Sequence, residues 1–176
     1  LIARGRQDLA IPDYLKALEL KPGYADAHLN LGNDLSAQGR LEEAVDHYRQ
    51  ALQSEPDYPE VHNNLGNILR TLGRLEEAVD HYRQALRLKP DYAEAYDHLG
   101  WLASRRGDVD EGIAYLTKSI ESKPENAWAL YNRSRLLHSK GDLAGAMRDA
   151  EKACNLGYQD GCKAYETYKN SSKEEG

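Results

Sequence analysis

Along residues 25–58 the apolar positions recur every three or four residues, break once, and resume. The first run sets Ala27, Leu31 and Leu35 four apart, with His28 and Leu29 alongside. The break falls at Gly39-Arg40. The second run carries Leu41, Ala44, Val45, Tyr48, Ala51 and Leu52 at the same helical spacing. Each run therefore predicts an amphipathic helix, and the short glycine-containing break predicts an antiparallel pair. Small residues (Gly32, Ala44, Ala51) stand where two helices approach closely, with Tyr48 filling the space between. Pro56 removes a backbone donor and stops the second helix.

The unit repeats. GRLEEAVDHYRQAL at residues 39–52 recurs letter for letter at residues 73–86, an offset of 34 that also separates Pro22, Pro56, Pro90 and Pro124. A fixed period of this size means stacked copies of one supersecondary unit. Three full copies are predicted, over residues 25–58, 59–92 and 93–126, with a degenerate fourth over 127–160. Pro59 opens a helix where Pro is tolerated, and Asp108 with Glu111 approximates a capping box. Residues 161–170 (GCKAYETYKN) predict a capping helix with Ala164, Tyr165 and Tyr168 facing the array, and 171–176 a disordered tail. The opening LIARGR aligns with LSAQGR at residues 35–40. Residues 1–24 thus read as a partial repeat, the last turn of a first helix followed by a second helix over 8–20, and the chain as part of something longer. Pro12 inside that second helix predicts a late start or fraying.

His28, Leu31, Gly32, Leu35, Ala44, Tyr48 and Pro56 resemble the tetratricopeptide repeat, whose pattern is W-x2-LG-x2-Y…A-x3-F…P. The second copy matches with His62, Leu65, Gly66, Leu69, Ala78, Tyr82 and Pro90. The third keeps Tyr96, Leu99, Gly100, Ala103, Leu116 and Pro124, with Gly112 in place of Ala. The fourth keeps Leu130, Leu137 and Ala146, while Arg133, Ser134, Ala150 and Tyr158 replace the Leu, Gly, Phe and Pro. The resemblance implies an all-α fold, a right-handed superhelix or α-solenoid of helix-turn-helix repeats.

Composition narrows the function classes. The 176 residues are 40% hydrophobic and 30% charged, which suits one soluble domain. No apolar run reaches the roughly 20 residues of a membrane span, and no signal-peptide pattern opens the chain. A net charge of −6 argues against nucleic acid as a partner. Phe is absent while Tyr occurs 12 times, so Tyr fills the aromatic interface positions. No nucleophile motif, phosphate loop or dinucleotide fingerprint is present, so neither catalysis nor a cofactor is expected. Glu42, Glu43, Glu76 and Glu77 mark solvated first turns. His28 and His62, like His47 and His81, recur at the repeat interval, too far apart on stacked helices to share a metal, and repeat packing accounts for them.

The resemblance implies more about the binding face. In this family the first helix of each repeat lines an inner groove, with its second, fifth, sixth, ninth, twelfth and thirteenth positions projecting inward. Its sixth position falls here on Asn30, Asn64, His98 and Asn132, and its ninth on Asn33, Asn67, Trp101 and Arg135. An Asn ladder offers donors and acceptors to an extended backbone. It is similar to the ladder in the repeat arm of O-GlcNAc transferase-like proteins, interrupted by His98. The clamp that grips a terminal carboxylate in chaperone-tail-binding members is not expected. Asn33 and Asn64 fit it, but Leu29, Glu94 and His98 occupy its basic positions. Trp101 and Trp128 both take groove positions, with Tyr131 a turn beyond, Arg105 and Arg135 beside them, and Glu60, Glu94 and Asp97 along the opposite rim. The expected ligand has an apolar anchor flanked by charge, held along its backbone by Asn64 and Asn132.

The segment ACNLGYQDGC at residues 153–162 resembles a cysteine-bearing variant of this repeat found in secreted bacterial proteins. The resemblance implies that Cys154 and Cys162 bridge one helix end to the next helix start. The residues alone equally allow two buried thiols in a cytosolic protein, so cytoplasm and periplasm both stay open. The expected function is a protein-interaction module that holds a peptide or partner segment in its groove. The alternatives are the recognition arm of a larger enzyme, such as a glycosyltransferase, and a scaffold that self-associates through its N-terminal end.

Overall fold

The computed structural model describes residues 2–174, with side chains from residue 11 to residue 171. Helices α1 (Ile2–Leu20), α2 (Ala25–Ala37), α3 (Leu41–Ser54), α4 (Pro59–Thr71) and α5 (Leu75–Leu88) build one compact unit, reaching to Pro90. Helices α6 (Ala93–Arg106), α7 (Val109–Ser122), α8 (Ala127–Ser139), α9 (Leu143–Asn155) and α10 (Gln159–Glu174) build a second from Asp91 onward. No strand occurs among the described residues. The fold is an all-α helical repeat.

Each helix pair closes at a glycine that must turn left-handed. Gly39 and Gly73 both sit at φ 79°, a conformation costly for any residue with a Cβ. The turn then locks, with the Arg40 amide donating to the Leu35 carbonyl at 2.9 Å. The following Arg reaches forward to the first turn of the next helix. Arg40 donates twice to Glu43, and Arg74 twice to Glu77, across exposed surface.

Between the paired helices lies the core. Tyr48 and Tyr82 are buried with Ala44, Ala51, Ala78 and Ala85 around them. Their rings press on the glycines of the facing helices. A Cβ on Gly32 would stand 2.6 Å from Tyr48 Cε1, and one on Gly66 would stand 2.7 Å from Tyr82 Cε1. Neither ring can retreat from a close-packed core. In the second unit Leu116, Ala129 and Leu136 form one cluster, and Ala146, Ala150 and Tyr168 another that seats α10. Ala164 and Tyr165 of α10 pack against this last cluster.

Three expectations are revised. α1 runs unbroken through Gly5-Arg6 and keeps Pro12 inside. The side chains of Leu9 and Ala10 lie outside the described residues. At the other end α10 continues to Glu174, with Ser171 Oγ bonded to the Thr167 carbonyl, rather than giving way to a tail at 171. Residues 175 and 176 lie outside the described residues. Finally, Asp108 makes no side-chain cap. Arg106 draws both carboxylates away, pairing with Asp108 at 3.3 Å and with Glu111 at 2.8 Å.

Cys154 in the last turn of α9 and Cys162 in the first turn of α10 form a disulfide. Gly157, at φ 86°, reverses the chain between them.

Candidate functional site

The structure brings the groove candidates together in two separate hollows, one in each unit. In the first unit Asn33, Ser36, Tyr48, Asn64, Asn67 and Ile68 surround about 180 Å³. Its asparagines are already engaged. The Tyr48 hydroxyl donates to Asn33 Oδ1 at 2.7 Å, and Asn64 Nδ2 donates to the same oxygen at 3.0 Å. In the next repeat the Tyr82 hydroxyl donates to Asn67 Oδ1 at 2.8 Å. Burial pushes both tyrosine hydroxyls up to about 12, so each remains a proton donor at ordinary pH. The carbonyl ends of Asn33 and Asn67 therefore satisfy the tyrosines of the core, which leaves their amide N–H groups as the donors at these positions. The ladder offers donors from its ninth positions, not the mixed donors and acceptors the sequence suggests. Asn30 is exposed on α2.

The third repeat breaks this pattern twice over. Leu116 stands where Tyr48 and Tyr82 stand, and Trp101 where Asn33 and Asn67 stand. With no tyrosine hydroxyl to satisfy, the ninth position is released to carry an aromatic ring, and the shorter leucine leaves space beneath it. The resulting hollow of about 190 Å³ is lined by Gly100, Trp101, Ser104, Arg105, Leu116, Asn132, Arg135 and Leu136. Trp101 is half-buried. Arg105 lies over its ring at 5.3 Å from the centroid. From α8, Arg135 lies over the Tyr131 ring at 5.8 Å. Tyr131 itself packs on Tyr158 at 5.3 Å. Asn132 donates to the Trp128 carbonyl at 2.8 Å, which spends one amide hydrogen and leaves its oxygen for other partners.

Trp128 does not line this hollow. It packs half-buried against the cluster of Leu116, Ala129 and Leu136. His98 is half-buried on α6 and lines neither hollow. Asp97 also leaves the expected acidic rim. Its Oδ2 accepts from Asn126 Nδ2 at 2.8 Å, and Asn126 Nδ2 also donates to buried Ser119 at 2.9 Å. Burial raises the Asp97 carboxyl above its usual range.

The histidines pair within a repeat rather than between repeats. His28 Nδ1 and His47 Nδ1 stand 2.9 Å apart, and so do His62 Nδ1 and His81 Nδ1. The remaining ring nitrogen of His28 donates to the Pro22 carbonyl at 2.9 Å, and that of His62 to the Pro56 carbonyl at 3.0 Å. No cluster of three or more metal-ligating side chains occurs among the described residues.

Stacked helix pairs at a 34-residue interval define a helical-repeat protein. The tetratricopeptide-repeat family model matches residues 29–93 and 99–155, and a second tetratricopeptide-repeat model matches residues 1–33. The chain belongs to the tetratricopeptide-repeat family. Among solved structures it is similar to MamA, at 25% identity over 89% of this chain and 92% of that one, with a TM-score of 0.79. PilF of Pseudomonas aeruginosa shares the fold at 23% identity, covering 98% of this chain and 86% of that one, TM-score 0.81. YrrB, described as a tetratricopeptide-repeat protein with an unusual peptide-binding site, shares it at 24% identity over 94% and 87%, TM-score 0.74. No curated protein sequence matches the chain. Family membership makes it a protein-interaction module, and no described helix is long and apolar enough to cross a membrane.

Proposed function

We propose that the chain holds a peptide or partner segment in its groove, and that the hollow between α6 and α8 is the main seat. One observation carries this reading: Trp101, Arg105, Asn132 and Arg135 converge on a single opening floored by Leu116 and Leu136. A half-buried tryptophan at the mouth of an apolar hollow is the kind of anchor that dominates binding energy. The Asn33 and Asn67 amides of the first unit offer, in a hollow of their own, donors suited to backbone carbonyls. The reading is of binding, not catalysis, with no cofactor and with protein rather than nucleic acid as partner.

Peptides selected from a random display library on the full chain supply the probe. Trp101→Ala should weaken the leading peptide by at least about 2 kcal/mol in calorimetry without loss of helicity. Arg83→Ala, on the opposite side of the repeat, should change nothing. Unaltered affinity in Trp101→Ala would move the seat elsewhere.

Self-association through the first helix is a second reading, supported by α1. Leu15 is 48% exposed and Leu20 83%, two apolar side chains that another molecule could cover. Sedimentation should show a dimer that dissociates on dilution and is abolished by Leu15→Glu with Leu20→Glu. A wild-type monomer at high concentration would rule this out.

A further inference from the structure

We infer that the α6/α8 hollow selects acidic segments, those with a carboxylate next to an apolar side chain. This rests on the reading that the hollow is the peptide seat. The chain carries 29 acidic against 23 basic residues, and several of its arginines find carboxylates. Arg40 pairs with Glu43, Arg74 with Glu77, Arg106 with Glu111 and Arg133 with Asp149. Arg105 and Arg135 are different. Both are exposed, both line the same hollow, and no carboxylate lines it with them. Each is held over an aromatic ring of its own helix instead.

The charge and the order of this site both point to an anion. Two guanidinium groups at one opening repel each other mildly in water, and a carboxylate set between them relieves that repulsion while accepting charge-assisted bonds from both. Resting on Trp101 and Tyr131, the two side chains have part of their rotamer freedom removed before a ligand arrives, so less is lost on binding. Leu116, Leu136 and the Trp101 ring then take the neighbouring apolar side chain. The bond to Trp128 uses Asn132 Nδ2, so Asn132 Oδ1 remains an acceptor suited to a backbone N–H of the same segment. Basic segments would meet two like charges, so the hollow discriminates by repulsion as well as by attraction.

The test is a display selection of random dodecapeptides on three forms of the full chain: wild type, Trp101→Ala, and Arg105→Glu with Arg135→Glu. Wild type should enrich peptides with Asp or Glu adjacent to Leu, Ile, Phe or Trp. The double charge reversal should lose that pool and shift toward Lys and Arg. For the leading acidic peptide, either single reversal should weaken binding at least tenfold in calorimetry, and raising salt should weaken the wild-type complex. A wild-type pool that depends on Trp101 but shows no acidic bias overturns this inference and leaves the seat in place. A pool indifferent to Trp101 overturns the seat itself. Displacement of the peptide by a single-stranded oligonucleotide at equal concentration would make phosphate the recognised group and overturn the peptide assignment.

Discussion

Replacing Arg133 with Met should lower the free energy of unfolding by about 3 kcal/mol. In the first three repeats this position holds Leu31, Leu65 and Leu99, all in the core. The fourth repeat puts a guanidinium there and answers it from α9 with Asp149. Arg133 donates through Nε to Asp149 Oδ2 at 2.7 Å and through Nη2 to Oδ1 at 2.9 Å. Its Nη1 reaches back to Thr117 Oγ1 at 3.0 Å. The side chains are only 20% and 11% exposed, so truncating the arginine leaves a carboxylate in poor contact with water and without its partner. The pair itself is not the source of a large net gain, because desolvating both charges offsets most of their attraction. Arg133→Leu combined with Asp149→Tyr, which copies Leu99 and Tyr115 of the third repeat, should therefore recover most of the loss. Urea denaturation of the single and double variants measures both effects. A single variant within about 0.5 kcal/mol of wild type would mean that the pair behaves as a surface ion pair and that the fourth repeat owes it nothing.

The second large effect is on acid stability. Burial lowers the ring pKa of His47, His62 and His81, with the charge of His28 adding to the effect on His47. For His81 the fall is to about 4, burial leading and the charge of His62 second, against smaller pulls upward from Glu77 and Asp80 and a further push down from Arg49. The geometry explains why a second proton is unwelcome. His62 already donates through Nε2 to Pro56, so its Nδ1 accepts, and His81 must supply the single proton lying between the two Nδ1 atoms. Protonating both rings would set two N–H groups against each other. The unfolded histidine binds a proton near its usual value of about 6.5. The folded state therefore holds fewer protons between that value and about 4. Stability is full above the unfolded value, falls as pH drops through this window, and levels off below it. His81 alone accounts for about 2 kcal/mol after discounting for its partial exposure, and His47 and His62 act in the same direction. The third repeat supplies the control, since Tyr96 and Tyr115 occupy the equivalent places with rings 6.4 Å apart. Substituting Tyr at His28, His47, His62 and His81 should flatten the dependence of the melting temperature on pH between 7 and 4. An equally steep slope in that variant would assign the acid sensitivity to carboxylates instead.

Glycine at residues 39, 73, 107 and 141 and proline at 22, 56, 90 and 124 mark the repeat interval in the sequence, and their backbone consequences are local. The fourth repeat, with Tyr158 in the proline position, ends α9 at Gly157 instead. α1 was not legible, because Gly5-Arg6 copies the letters of a turn while the helix runs straight through them. The groove positions were legible as positions. What each side chain does there depends on contacts the repeat register does not encode. Asn33 and Asn67 look like ligand-facing amides until Tyr48 and Tyr82, 15 residues on, take their oxygens. That signal was present, since Asn and Tyr vanish together when Trp101 and Leu116 replace them. His28 and His47, 19 apart, were missed for a related reason: comparing copies across the repeat interval hides pairing inside one copy. Trp128 shares a face with Trp101 by helical geometry, yet the neighbouring core takes it. Arg133 read as decay of the pattern, and only its reach to Asp149 makes it a substitution with a partner.

The most direct measurement of the central claim uses the chain's own fluorescence. The sequence holds two tryptophans, so Trp128→Phe leaves Trp101 as the sole indole reporter. Titrating this variant with a display-selected peptide should quench or blue-shift the emission along the same saturation curve that calorimetry records, as the ring is desolvated in its hollow. Peptide binding that saturates in calorimetry while the Trp101 emission stays unchanged would contradict the account.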